Sequence, residues 1–134
     1  MFLHELNEEE KKLFWNIANA VVMADGTKTD QESKLLKQYL VELEEDFEVL
    51  DPNTISIEDE IQRLGNCNVR IRKVICFELC GLVNADSDYS KEENDLIHHI
   101  CNKMEINEEI LSKMEECVQE IYDAYRKLGE ILNA

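Results

Sequence analysis

Apolar residues recur every three or four positions along most of this chain, and the breaks in that pattern divide it into helices. Leu13, Ile17, Val21 and Ala24 fall on one stripe with Phe14, Ala18 and Val22 beside it. An apolar arc that wide predicts a largely buried helix over about 8–24. Asn7, followed by Glu8, Glu9 and Glu10, supplies its N-cap and an acidic first turn. It should stop at Asp25-Gly26, where glycine can take the left-handed conformation that ends helices. Leu36, Leu40, Leu43 and Phe47 predict a second helix over about 30–46, opened by the capping box Thr29-x-x-Glu32. Asp51-Pro52-Asn53 then reads as a connector over 48–55. Ser56 and the acids after it start a short helix ending at Gly65.

A fourth helix, about 68–85, is apolar nearly all round from Val74 to Val83 apart from Glu78. Such a helix belongs at the centre of a bundle. Ser90 and Glu93 form a second capping box and open a fifth helix over about 91–104. Asn107 caps a long final helix over about 108–132, in which Leu111, Met114, Val118, Ile121, Tyr125, Leu128 and Leu132 keep a three-four spacing. Packing of that stripe along its own bundle is the expectation. A second apolar row, Ile110, Cys117, Ala124 and Ile131, leaves a protein partner or a homodimer through this helix open.

The chain also repeats itself. Ala24-Asp25-Gly26-Thr27-Lys28-Thr29-Asp30-Gln31-Glu32 returns 61 positions later as Ala85-Asp86-Ser87-Asp88-Tyr89-Ser90-Lys91-Glu92-Glu93. In both copies an apolar run ends in Ala-Asp, a polar turn follows and a hydroxyl residue caps the next helix. The expectation is a single all-α domain over 1–134. It is a compact bundle of about six to seven helices built from two duplicated helical hairpins, with halves near 8–47 and 68–105.

Charge narrows the partners. Thirty acidic residues against 14 basic give a formal −16, which disfavours nucleic acid and anionic membranes because phosphate contacts need clustered Lys and Arg. No window approaches the ~20 apolar residues of a membrane span. Residues 1–10 show no apolar run of signal length, and five cysteines are an odd number for a disulfide framework. A cytoplasmic chain with reduced thiols is expected. No Gly-x-Ser-x-Gly, P-loop, Gly-x-Gly-x-x-Gly or His-Glu-x-x-His occurs, so no enzymatic activity is expected.

The candidate chemistry lies in the two acidic turns. An Asp at a helix C-terminus meets the negative end of the helix dipole, at a cost of about 0.3–1 kcal/mol. Two readings offset that cost. The carboxylates of Asp25 and Asp86 can accept backbone N–H groups within their turns. Alternatively Asp25 and Asp86, with Asp30, Asp88, Glu32 and Glu93, can supply oxygens to a divalent cation such as Ca²⁺, Mg²⁺, Mn²⁺ or Zn²⁺. An EF-hand is excluded, because Lys91 stands where its glycine belongs and Ile97 where its bidentate Glu belongs. Cys76, Cys80, His98 and Cys101 can be drawn as a zinc site, but these thiols sit in strongly apolar runs and read as small buried hydrophobes. Neither His98 nor His99 has a partner acid legible in the sequence.

The twin pattern Ala-Asp-[Gly/Ser]-x-x-[Thr/Ser]-x-x-Glu, each copy after an apolar helix, resembles the tellurite-resistance TerB family. Its superfamily includes the N-terminal domain of a membrane-anchored DnaJ-type co-chaperone. The resemblance covers about residues 8–105. It implies a duplicated all-α bundle that binds divalent metal through its acidic turns and acts with partner proteins in bacterial stress responses to tellurite, phage and colicins. Asp25 and Asp86 match the motif acids, and Glu32 and Glu93 the second acids. Ser87 departs from the family's usual Gly. The alternative is a metal-free interaction scaffold that uses its acidic surface or its last helix.

Overall fold

The helix that is apolar all round forms the axis of the molecule. In the computed structural model, which describes residues 1–48, 56–84 and 90–134, it spans Val69–Val83 and is labelled α4. Around it stand α1 (Glu8–Val22), α2 (Asp30–Leu43), α5 (Lys91–Lys103), α6 (Glu108–Leu132) and a short 3-10 turn at Leu3–Glu5; all five touch it. A short α3 (Ile57–Leu64) closes the far side against α1. No strand occurs among the described residues. The connector segment 49–55 and the turn segment 85–89 lie outside them.

Burial explains why α4 is central. Ile75, Cys76, Leu79 and Leu82 are fully enclosed, and they join Phe14, Ile17, Val21, Leu64, Ile100 and Leu111 in one continuous core. Transfer of such side chains from water is worth about 1.5–3 kcal/mol each. The one acid on this helix, Glu78, is also buried, and its carboxylate accepts the Phe2 N–H at 3.0 Å and the amino group of Met1 at 2.9 Å. Tyr39 packs edge-on against Phe14 and donates its hydroxyl to the Glu78 carbonyl at 2.9 Å, which fastens α2 to α4. Trp15 is enclosed in α1 and donates its indole N–H to the Glu48 carbonyl at 2.9 Å, with Phe47 tilted against it.

The helix starts follow their caps. Asn7 and Thr29 close full capping boxes with Glu10 and Glu32. Ser56, Asn68, Ser90 and Asn107 each accept one first-turn N–H. Gly26 takes a φ of +88°, the left-handed geometry required by the turn after α1. One end differs from expectation. α2 stops at Leu43 because Glu44 adopts a φ of +56° and the Glu45 N–H returns to the Leu40 carbonyl. Glu105 ends α5 the same way with a φ of +61°. Neither position holds the glycine that would mark such an end in a sequence.

The last helix corrects a larger expectation. Its stripe packs on the bundle only as far as Tyr122, whose hydroxyl donates to the Gly81 carbonyl at 2.6 Å. Leu111 and Val118 are buried, whereas Tyr125, Leu128 and Leu132 are 60%, 52% and 81% exposed. α6 runs alongside α4 and continues ten residues past Tyr122, about 15 Å at the rise of an α-helix. Among the described residues nothing covers the seam beyond that point.

Enclosure of α4 predicts where stability resides. Leu79→Ala should lower the free energy of unfolding by about 2–5 kcal/mol, while Val41→Ala on the exposed face of α2 should stay within about 0.5 kcal/mol. Urea unfolding of the two variants checks the contrast.

Candidate metal centre

The two helix-start glutamates, 61 positions apart in sequence, meet in space. Glu32 and Glu93 are 2% and 3% exposed. Glu32 and Asp25 are near enough to the Glu93 carboxyl for their charges to act on it. The first turn thus contributes Asp25 and Glu32, and the start of α5 contributes Glu93.

Each group has a distinct local origin. After α1 ends, the Asp25 carboxylate turns back to accept the Thr27 N–H at 3.0 Å and the Thr27 hydroxyl at 3.3 Å. This is the local turn role foreseen for it. The Thr27 N–H is the main reason its pKa falls below the ordinary carboxylate range, and the Ser90 hydroxyl adds to it. Glu32 accepts the Thr29 N–H at 2.9 Å through one oxygen, completing its capping box. Ser90 accepts the Glu93 N–H at 3.1 Å, and the Glu93 side chain is buried at the start of α5.

The electrostatic consequence is large. Burial, and then the negative charges of Glu32 and Asp25, push the Glu93 carboxyl up to about 8. Three acids this close cannot all ionise without compensation. One proton held by Glu93 relieves the repulsion at neutral pH, and a cation can relieve it at the same place.

Other sequence candidates sort differently. Asp30 is exposed at the start of α2, and no hydrogen bond or ion pair among the described residues ties it to the cluster. Asp86 and Asp88 lie outside the described residues. No three His, Cys, Asp or Glu side chains among the described residues form a ready-made metal site; the carboxylates are neighbours, not a closed ligand set. Cys76, Cys80 and Cys101 are buried, free thiols, with Cys76 and Cys101 sulfurs 2.8 Å apart. Burial pushes the Cys76 and Cys80 thiols far up, away from the thiolate that zinc requires.

Both histidines have acidic neighbours on other helices. His98 stands 3.3 Å from Glu108 and 3.3 Å from Glu115 on α6, and His99 stands 2.7 Å from Glu58 on α3. These pairs cross between helices, so spacing along the chain held no sign of them. The same is true of the charges beside Glu93, since its sequence context is that of an ordinary capping box.

No helix among the described residues is long and apolar enough to cross a membrane. Comparison of the chain with family models, with curated proteins and with solved structures finds no match.

The raised carboxyl sets the sign of a pH effect. Folded chain keeps the Glu93 proton up to about pH 8, whereas unfolded chain releases it near the ordinary glutamate value of 4.5. The folded state binds more protons in that window, so this contribution to stability is complete below it and is lost as pH rises through about 8. Glu93→Gln mimics the protonated acid at every pH. In metal-free protein it should therefore raise the melting temperature relative to the native chain at about pH 8.5, with the difference closing towards about pH 5. Calorimetry across that range checks it; a difference that does not vary with pH would contradict the raised carboxyl.

Proposed function

We propose that this chain is a non-catalytic, TerB-like helical module that binds a divalent cation between its two acidic turns, in a bacterial stress response of the tellurite-resistance type. The observation that carries the reading is the buried Glu93, whose carboxyl is raised by burial and by the neighbouring Glu32 and Asp25. A carboxyl held in that setting is explained if its usual neighbour is a cation.

In this reading Asp25, Glu32 and Glu93 supply oxygens, with Asp86, the motif acid of the second turn, and its neighbour Asp88 as the further candidates. The cation takes the place of the Glu93 proton. Its charge then offsets the repulsion that the proton otherwise limits, and it ties the start of α2 to the start of α5. Binding releases a proton below about pH 8, so affinity should climb with pH through that value. An all-oxygen donor set suits Ca²⁺, Mg²⁺ or Mn²⁺ better than Zn²⁺, which favours nitrogen and sulfur.

The test is thermal unfolding of metal-stripped protein with each of the four cations. A cation that binds only the native state stabilises by about 2.7 kcal/mol at a hundredfold excess over Kd. The native chain should gain stability from at least one hard cation. Glu93→Gln and the double variant Asp25→Asn/Asp86→Asn should lose that gain while remaining folded, and Glu44→Gln, away from the turns, should keep it. Equal losses in all three variants, or no shift at millimolar cation, would sink the metal reading.

A further inference from the structure

From Tyr125 to Leu132 the heptad seam of α6 continues exposed, with no described part of the bundle to cover it. Val118, Ile121, Tyr125, Leu128 and Leu132 occupy the two inward positions of the repeat. The four positions that flank this seam are Tyr122, Ala124, Gly129 and Ile131, none of them charged. All four charged residues of the stretch 121–132, Asp123, Arg126, Lys127 and Glu130, fall on the opposite side of the helix. That side is tied together within the helix, with Arg126 3.1 Å from Glu130 and 4.0 Å from Asp123. A helix surface with this division is built for a helical partner, and its small residues allow close approach.

Beside the seam lies a groove of about 540 Å³ between α2 and α6, floored by α4. Leu35, Tyr39 and Phe77 line it from the bundle, and Ile121, Tyr122 and Tyr125 line it from α6. The side chains that lead into the uncovered seam thus form one wall of the groove.

We propose that the occupant is a second copy of this chain, with the two α6 helices packed antiparallel so that the end of each lies in the groove of the other. Charge selects this partner. Copies of a chain with a formal charge of −16 repel one another over most of their surface. In the stretch 121–134 the two acids are matched by two bases, and the helix carries it beyond the end of α4. It is a place where two copies meet without net repulsion. The positions that flank the seam hold no acid for a basic partner, and the two acids of the groove, Glu42 and Glu78, are already paired with the amino group of Met1. In the antiparallel arrangement centred on Tyr125, Leu128 stands opposite the partner's Tyr122 and Leu132 opposite the partner's Val118. The end of each seam is thereby buried against the packed part of the other.

Sedimentation of the full chain between micromolar and hundreds of micromolar tests the proposal. The expected result is a dimer, twice the 15.7 kDa of one chain, that Leu128→Glu and Leu132→Glu convert to monomer. Both side chains are exposed in the single copy, so the variants should keep the native helical circular dichroism and melting temperature of an isolated subunit. With Cys117→Ser as background, Tyr125→Cys should cross-link to itself under mild oxidation and Leu132→Cys should not. A native chain that stays monomeric throughout overturns the proposal, as does a dimer indifferent to both Glu substitutions. Self-cross-linking through Leu132→Cys in place of Tyr125→Cys overturns the antiparallel arrangement.

Discussion

The fold depends on the need to surround a helix that has almost no polar side. The stretch of α4 from Val74 to Val83 must be covered on nearly every side, and this single requirement gathers α1, α2, α5, α6 and the 3-10 turn around it. A two-sided helix would leave a layer with an open face; a helix apolar all round produces a bundle with a centre. The exception on α4 shows how narrow the tolerance is. Glu78 is buried, and its carboxylate is met by the N–H of Phe2 and the amino group of Met1, in keeping with the cost of an unpaired buried charge.

The first acidic turn lies outside that core, with Asp25 exposed, but is positioned by it. Because α1 and α2 flank the first turn and α4 and α5 flank the second, packing of these helices decides where Asp25, Glu32 and Glu93 meet. Local chemistry accounts for Asp25 and Glu32 completely, through an Asx turn and a capping box. Glu93 differs from them in its electrostatics, because burial and then the charges of Glu32 and Asp25 push its carboxyl up to about 8. The charged form of that side chain is therefore unfavourable for the isolated protein until the pH passes this value.

Much of this was legible in the chain because it rests on local rules. Asn7, Thr29, Ser56, Ser90 and Asn107 announce the helix starts, and the unbroken apolar face of residues 74–83 announces the central helix. What was not legible depends on three dimensions. The left-handed Glu44 and Glu105 end their helices without a glycine. His98 and His99 meet carboxylates on other helices. The stripe of α6 has one period along its whole length, yet only the first half has a bundle beneath it. Periodicity records that a face is apolar; it does not record what lies opposite.

The enclosed indole of Trp15 gives the molecule a reporter of its own. It is the single tryptophan in the chain, and its polar atom is bound to the carbonyl of Glu48, beyond the end of α2. Its emission therefore reports the environment of one buried ring at the junction of α1 with the segment leaving α2. Loosening of that junction should redden and quench the fluorescence even while the helices persist. Local opening at this seam can thus be told apart optically from global unfolding, with no label attached.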